Sequence, residues 1–397
     1  MKQLLYRYNP WWDSGWKLTN VYSRAAMLEK LETNLENKSI IFISGIRRAG
    51  KSTLMKLLID DMIYKKGIDP ARIFYVSVDD YTLINKSISE ITDEFRKIHG
   101  ISFSEKIWLF FDEITYVPDY EIQLKNLTDK ENVKIFVSAS SASLLRSGKP
   151  YLTGRNKLIE VQPLNFEEYL IFRGLSDLPV SDSHLYEKYF ENYMLAGGIP
   201  EFVISGDHDY LKELVDDIIM KDIAAQHNVR TVPVLKECFL LFMERAGKAV
   251  SLNKIANILK ISPDTARRYL DYFENSYLLS TLSKSGKTNE VILSQKKIYS
   301  SDLGIRNHFT GFRDKGSLFE NYVYNRIKYL NPGYITEGDY EIDFMTENGI
   351  LIECKYKSEL KGKQQELFNR IPAAAKYLLS DHNDLERMLR EPGTDQK

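Results

Sequence analysis

Residues 39–63, SIIFISGIRRAGKSTLMKLLIDDMI, decide the fold of this chain. The stretch opens with a continuous apolar run at residues 40–44, which is typical of a buried parallel strand. The pattern Gly45-x-x-x-x-Gly50-Lys51-Ser52 follows directly, and apolar residues then recur at helical spacing. A strand, a glycine-containing loop and a helix are, in this order, the context of a phosphate-binding P-loop. The stretch therefore predicts an α/β fold with a nucleotide site at the end of the strand.

The chemistry of this loop predicts ATP and Mg²⁺ as cofactors. Glycines allow backbone amides to close around phosphate oxygens, and the helix N-terminus adds partial positive charge. Lys51 is expected to reach the β- and γ-phosphates, and the Ser52 hydroxyl to hold Mg²⁺. The residues predicted to bind the nucleotide are Gly45, Arg48, Ala49, Gly50, Lys51, Ser52 and Thr53.

A second apolar strand ends in two acids, within residues 106–117, KIWLFFDEITYV. Asp112 is suited to hold Mg²⁺ through water, and Glu113 to orient the attacking water as a general base. A buried strand with acids at its solvent end is the structural alternative, but the P-loop favours the catalytic interpretation. The next strand ends in Ser138, Ser140 and Ser141. One of these serines could sense the γ-phosphate, or the group could cap a helix.

Strands and helical segments alternate as far as about residue 165. The stretch ARIFYVSVDDY, residues 71–81, adds another buried strand. This alternation predicts a parallel sheet covered on both faces. Arg155 directly precedes a further strand and is predicted to act as an arginine finger on the γ-phosphate, in cis or from a neighbouring subunit. A surface arginine is the alternative.

Seven motifs occur in an order that resembles a known family: YNPWW, GIRRAGKS, FFDEI, SASSASLL, GR, PLNFEEYL and AGGIPEF. They are similar to those of prokaryotic AAA-type ATP-binding proteins with a C-terminal domain of unknown function. The resemblance covers nearly the whole chain, and it implies ATP binding and hydrolysis. Relatives more often have Thr-Gly-Ser-Ser where this chain has Ser138-Ala-Ser-Ser, so the γ-phosphate sensor stays open. Residues 1–170 are assigned to the P-loop ATPase core.

The middle of the chain predicts a helical lid and a winged helix. Residues 171–234 show helical periodicity, and residues 235–298 show the winged-helix order, with Ser251 and Ser262 as helix caps. Leu252, Ile255 and Ile258 are expected on the inner face of the first of these helices, and two apolar strands are expected on either side of the basic turn at 283–287. The segment from 235 to 300 holds eleven Lys/Arg and six Asp/Glu, a net charge of +5 in a chain of net charge −1. The predicted DNA contacts are Arg267, Arg268, Lys284 and Lys287. A protein-docking spacer is the alternative.

The register of a C-terminal hairpin can be worked out from EIDFMTENGILIECKYK, residues 341–357. A two-residue turn would mix apolar and charged side chains on each face, whereas a three-residue turn at 347–349 pairs Phe344 with Ile352 and gives one apolar face. In that register Asp343 lies opposite Glu353, and Glu341 lies opposite Lys355. Two directly opposed acids destabilise a sheet unless a cation lies between them.

This arrangement predicts that residues 299–397 form an α/β domain resembling PD-(D/E)xK nucleases. Glu320, Asp343 and Glu353 would hold Mg²⁺, which activates water and shields the scissile phosphate, while Lys355 would stabilise developing charge. Two functions remain open. The first is a Mg²⁺-dependent ATPase that acts on DNA with this domain as a nuclease. The alternative is a regulatory ATP switch or scaffold whose nuclease-like domain is inactive.

The composition also bears on whether the chain is a membrane, secreted, disulfide-rich or zinc-binding protein. No apolar run approaches the roughly 18 residues of a membrane span, and the N-terminus lacks the pattern of a signal peptide. The two cysteines, Cys238 and Cys354, cannot build a disulfide framework or a four-thiolate zinc site. We therefore expect a cytoplasmic protein with no membrane partner. A homo-oligomer is expected if Arg155 acts in trans.

Overall fold

The computed structural model describes residues 1–13, 15–19, 21–141, 154–176, 182 and 184–391. The chain folds into two compact units, residues 1–162 and residues 163–397. The division into four parts, 1–170, 171–234, 235–298 and 299–397, stays a prediction. Within the described ranges, no helix combines the length and the apolar character needed to cross a membrane.

The first unit is built on a parallel sheet, as predicted from the alternation of strands and helices. Its described strands are β1 (Ile40–Ser44), β2 (Ile73–Ser77), β3 (Ile107–Asp112), β4 (Val133–Ala139) and β5 (Asn156–Glu160). Its described helices are α1 (Lys2–Tyr8), α2 (Ala25–Glu32), α3 (Lys51–Tyr64), α4 (Ile88–His99) and α5 (Tyr120–Lys130). The spatial order β2-β3-β4-β1-β5 has parallel pairing at every step.

Strand β1 lies inside this sheet, between β4 and β5. All five of its residues are buried, in agreement with the apolar run read from the sequence. The chain leaves β1 for the far edge at β2 and returns strand by strand, so the crossover direction changes beside β1. Open α/β sheets bind ligands outside the carboxyl ends of their strands at such a switch point. The sheet order therefore places a ligand site where β1 ends.

Side chains from the N-terminal segment bind the backbone of the edge strand β2. The Asn9 amide accepts from Tyr75 N at 2.6 Å and donates to Tyr75 O at 2.8 Å, as a neighbouring strand would. The indoles of Trp11 and Trp12 both donate to the carbonyl of Ile73. Trp12 also stacks on Phe95 of α4, with 5.6 Å between ring centroids. The aromatic motif YNPWW is thus an edge cap for the sheet.

The second unit contains two further sheets and a set of helices. Its described strands are β6 (Ala249–Val250), β7 (Leu279–Leu282), β8 (Lys296–Ser300), β9 (Gly333–Glu337), β10 (Tyr340–Met345), β11 (Ile350–Cys354) and β12 (Ala375–Leu379). Its described helices begin with α6 (Phe166–Phe172), α7 (Leu185–Ala196), α8 (Pro200–Ser205), α9 (His208–Asp217), α10 (Ala225–His227) and α11 (Val232–Glu244). They continue with α12 (Leu252–Leu259), α13 (Pro263–Asn275), α14 (Thr288–Leu293), α15 (Leu303–Thr310), α16 (Lys315–Ile327), α17 (Gly362–Arg370) and α18 (His382–Leu389).

The caps predicted around α12 and α13 are confirmed. The Ser251 and Ser262 side chains accept from backbone N–H groups in the first turns of these helices. The inner face predicted for α12 is partly wrong, because Ile255 is buried whereas Ile258 is 55% exposed. Sequence reading also expected an apolar strand directly after the basic turn at 283–287, but residues 288–293 form α14. The strand that pairs antiparallel with β7 is β8.

The C-terminal hairpin has the register worked out from its sequence. Phe344 pairs with Ile352 and Met345 with Leu351 across β10 and β11. The turn closes through a bond from Gly349 N to Thr346 O, with Gly349 at φ +79°. Ile342, Phe344 and Ile352 are all fully buried. Burial of one apolar face has therefore fixed the register, and Asp343 and Glu353 come together as a result.

A close contact between α7 and α15 depends on glycine. A Cβ at Gly304 would lie 1.9 Å from the carbonyl oxygen of Ala196, and one at Gly198 would lie 2.1 Å from that of Leu164. Asp302 lies beside this contact and accepts from the N–H groups of Gly198 and Ile305. Burial raises the pKa of the Asp302 carboxyl to about 6. The AGGIPEF motif is thus explained by packing inside the second unit.

Candidate nucleotide site and acidic cluster

The P-loop wraps around the end of β1 and the start of α3. Gly45 has φ +150°, and a Cβ there would lie 2.1 Å from the carbonyl oxygen of Val161. Gly50 has φ +93° and is the residue directly before α3. Ala49 is buried, whereas Arg48 and Thr53 are exposed. The two glycines therefore occupy the positions where the loop approaches other backbone or takes a left-handed conformation.

The ammonium of Lys51 binds within the loop. It donates to the carbonyls of Gly45 at 3.0 Å and Ile46 at 3.1 Å, and the residue is 4% exposed. The guanidinium of Arg24 supports the same loop from outside, donating to Ala49 O at 3.1 Å and Gln162 O at 3.0 Å. No sequence motif had indicated Arg24. Together these cations fix the loop and place a positive charge at the N-terminus of α3.

Asp112 ends β3 and is held by two hydroxyls. Tyr75 donates to its Oδ2 at 2.6 Å, and Ser138 donates to its Oδ1. The Tyr75 hydroxyl also hydrogen-bonds the side chain of Ser52. Burial and Asp112 raise the pKa of Tyr75 well above its usual value, so it remains a neutral hydroxyl. Sequence reasoning missed Tyr75, which joins the two predicted Mg²⁺ ligands.

These donors fit Mg²⁺. The cation prefers hard oxygen ligands and keeps several waters. Ser52 supplies a hydroxyl and Asp112 a buried carboxylate, and the Tyr75 hydroxyl hydrogen-bonds both. When bound, Mg²⁺ would neutralise charge on the phosphates.

Glu113 is the first residue after β3 and has φ +53°. Its backbone N–H donates to Ser138 Oγ at 2.9 Å, and its carboxylate accepts from Ser140 Oγ at 2.7 Å. Burial raises the pKa of the Glu113 carboxyl, although Lys51 and Ser140 counteract this. The sequence left the roles of these serines open. In the structure, Ser138 binds both Asp112 and the backbone of Glu113, whereas Ser140 binds the Glu113 side chain.

Comparison with known proteins agrees with this geometry. Residues 37–170 match the family described as an AAA domain, and residues 187–316 match a domain of unknown function, DUF8612. The chain is 30% identical to the uncharacterized protein MJ1544 of Methanocaldococcus jannaschii over 85% of its own length and 79% of that protein. The chain belongs to the MJ1544 family. Its residues 37–170, which hold the P-loop, form a domain of the AAA type.

Two other proteins are similar to this chain. An uncharacterized protein of Haemophilus influenzae is 28% identical over 81% of this chain and 83% of its own length. Among solved structures, the Walker-type ATPase PABY2304 of Pyrococcus abyssi is similar at 16% identity with a TM-score of 0.46. That similarity covers 73% of this chain and 96% of the other.

Arg155 lies at the opposite end of the AAA-domain sheet from the P-loop. It precedes β5, whose first residue, Asn156, pairs with Ile40 at the start of β1. Its guanidinium forms an ion pair with Asp129, at the end of α5. Five strand residues, about 16 Å, separate this end from the loop. The prediction that Arg155 reaches the γ-phosphate in cis is therefore wrong, whereas a role in trans stays a prediction.

The residues predicted to contact DNA lie on two elements of the second unit. Arg267 and Arg268 are exposed on α13, whose opposite face buries Ala266, Tyr269, Leu270 and Phe273. Lys287 is exposed in the turn after β7, whereas Lys284 is half-buried. This turn is tied to β9, because Ser285 N donates to Tyr334 O at 2.7 Å. The two arginines thus lie on a helix, and the two lysines lie in a turn that is hydrogen-bonded to a neighbouring strand.

The predicted nuclease-like acids come together, and a lysine joins them. Asp343 Oδ2 accepts from Cys354 N at 2.9 Å, and Glu353 Oε2 accepts from Asp343 N at 3.2 Å. The other Glu353 oxygen accepts from Lys355 and Gln364, each at 2.7 Å. Glu341 and Lys355, which are opposite each other in the predicted register, do not form an ion pair with each other. Glu341 instead binds Lys297 at 2.7 Å, as does Glu320 at 2.6 Å.

A different group could hold a metal by distance alone. Within the described part of the chain, Glu167, His382 and Glu386 form the one group of three ligand atoms that lie within 4.8 Å of one another. Arg326 already binds this group, at 3.1 Å from Glu167 and 2.8 Å from Glu386. Tyr322 Oη lies 2.7 Å from His382 Nδ1. We interpret this group as a half-buried ion-pair network.

Proposed function

We propose that this chain binds Mg²⁺–ATP in its AAA domain and hydrolyses it with Glu113 as the general base. The observation that carries the proposal is the arrangement of Asp112 and Glu113, which Ser138 and Ser140 hold on the buried strand end beside the P-loop. Nucleotide binding would draw the Lys51 ammonium from the loop carbonyls to the phosphates. Asp112 and Ser52 would hold the metal, and Glu113 would accept the proton of the attacking water.

The variant Lys51→Ala tests the nucleotide-binding half of this proposal. We expect Lys51→Ala to weaken binding of a fluorescent ATP analogue by at least ~30-fold, since removing one partner of a buried charge pair costs about 2–5 kcal/mol. Binding is measured by fluorescence anisotropy with Mg²⁺ present. Lys65→Ala is the matched control, because Lys65 lies at the other end of α3 and is 68% exposed. Equal affinities for Lys51→Ala and the control would overturn the assignment.

We further propose that the second unit contacts DNA through α13 and the turn at 283–287, in the manner of a winged helix. The exposed arginines of α13 and the local net charge of +5 support this. The alternative of a protein-docking spacer would leave these arginines without a phosphate partner. The two interpretations differ in the salt dependence of DNA binding.

The double variant Arg267→Ala/Arg268→Ala tests this contact. We expect weaker binding to duplex DNA and a salt slope shallower by about 2, because each lost phosphate contact reduces it by ~0.9. Lys212→Ala/Lys221→Ala removes the same charge from exposed positions on other elements and serves as the control. Affinity is measured by anisotropy at several salt concentrations. Identical slopes for the two double variants would refute the proposed contact.

The C-terminal domain allows two functions. A Mg²⁺-dependent nuclease needs an acid cluster that is open to a metal, whereas a regulatory or scaffolding domain does not. The position of Lys297 among the acids favours the second function. We therefore propose an ATP-dependent switch with a nuclease-like but inactive domain.

A further inference from the structure

Lys297 is a buried cation in the middle of an acidic cluster. It lies on β8, and its side chain is 1% exposed. Its Nζ is 2.6 Å from Glu320 Oε1, 2.7 Å from Glu341 Oε1 and 3.7 Å from Asp343 Oδ1. Although burial alone would lower its pKa, these three carboxylates raise the pKa of Lys297 above its usual value. The ammonium group therefore has three carboxylates around it.

Two of these acids are ones that sequence analysis assigned to Mg²⁺. Glu320 Oε1 accepts from both Lys297 and the Tyr299 hydroxyl, each at 2.6 Å. Asp343 faces Lys297 with one oxygen and the backbone of Cys354 with the other. A divalent cation needs oxygen ligands at 2.0–2.6 Å that face one common point. Here the point shared by Glu320, Glu341 and Asp343 is filled by an ammonium group.

The remaining acid is also bound by protein groups. Glu353 is fully buried and accepts from Lys355, Gln364 and the N–H of Asp343. Glu320, Asp343 and Glu353 do not form a group of ligand atoms within 4.8 Å of one another. The residues present at the predicted C-terminal metal site therefore do not fit a divalent cation as they are arranged.

We infer that Lys297 takes the place of a divalent cation in the cluster of Glu320, Glu341 and Asp343, so that this domain is stabilised without metal. Burying several carboxylates together is costly unless a positive charge lies between them. Lys297 on β8 places an ammonium group between them. The inference does not depend on ATP hydrolysis, because all four residues belong to the second unit.

Binding of Mn²⁺ to the full-length, nucleotide-free protein tests the inference. Mn²⁺ is followed by its electron paramagnetic resonance signal, which falls as the ion binds. We expect wild type and Asp343→Asn to bind the same number of Mn²⁺ ions, because wild type has no Mn²⁺ site at Asp343. We expect Lys297→Met to gain one Mn²⁺ site, and the double variant Lys297→Met/Asp343→Asn to lose it. Lys297→Arg keeps the positive charge and should gain none.

Stability provides a second measurement. Loss of the Lys297 charge should lower the urea midpoint of the second unit, and Mn²⁺ should restore it in Lys297→Met only. If Lys297→Met fails to fold, the comparison of wild type with Asp343→Asn still decides the question. A wild-type Mn²⁺ site that is lost in Asp343→Asn would overturn the inference. A folded Lys297→Met that gains no site would overturn it as well.

Discussion

Replacement of Glu113 by glutamine is expected to lower ATP turnover by ~10²–10⁴-fold, the usual contribution of a positioned general base. Glutamine retains the size of the side chain and can still accept from Ser140, but it cannot take a proton from water. The dissociation constant for ATP should therefore change by less than about threefold, because phosphate contacts come from the P-loop and Lys51. Phosphate release at saturating ATP measures the first quantity, and anisotropy the second.

Two comparisons make the Glu113 result specific. Glu94→Gln changes a half-exposed carboxylate on α4 and should leave turnover unaltered. Lys51→Ala should lose binding as well as turnover, which separates a binding defect from a chemical one. Unchanged turnover in Glu113→Gln would show that another residue orients the water.

Replacement of Gly304 by alanine is expected to destabilise the second unit by about 1–3 kcal/mol through overpacking. The added Cβ would lie 1.9 Å from the carbonyl oxygen of Ala196, so the backbone of α7 or α15 must move. Such movement would also strain the bonds from Gly198 and Ile305 to Asp302. For a unit of this size the melting temperature should fall by roughly 2–12 °C.

The tryptophans allow the two units to be observed separately. All four, Trp11, Trp12, Trp16 and Trp108, lie in the first unit. Gly304→Ala should therefore shift the unfolding midpoint seen by circular dichroism more than that seen by tryptophan fluorescence. Gly316→Ala is the matched control, because it also lies in a helix and its Cβ would meet only Asp314 Oδ1, at 3.8 Å. Equal stability of the two variants would contradict the packing argument.

Sequence patterns predicted those elements whose conformation is determined by residues close together in the chain. The P-loop, its strand and its helix could be read from one stretch because each has a short-range signature. The hairpin register followed from alternation, since burial of Phe344 and Ile352 allows only one pairing. The location of Arg155 at the sheet edge opposite the P-loop could also have been predicted from the sequence. A residue that precedes a parallel strand lies at the opposite edge of the sheet from a loop that follows one.

Contacts between distant segments were beyond the reach of sequence patterns. Lys297 is 23 residues from Glu320 and 44 from Glu341, and its strand had been assigned to a different domain. Tyr75 looked like an ordinary strand residue, although its hydroxyl joins Ser52 to Asp112. In both cases the functional group projects from a strand whose neighbours are set only by the tertiary fold.

The N-terminal cap on β2 limits how copies of this chain could associate. An uncovered edge strand can pair with a strand of another molecule. Here Asn9 occupies both hydrogen-bonding groups of Tyr75, and two indoles occupy the carbonyl of Ile73. That edge is closed to intermolecular sheet extension. Removal of the first dozen residues would therefore expose the edge of β2, where another chain could pair and aggregate. It would also remove the hydrogen bonds from Asn9 to the backbone of Tyr75.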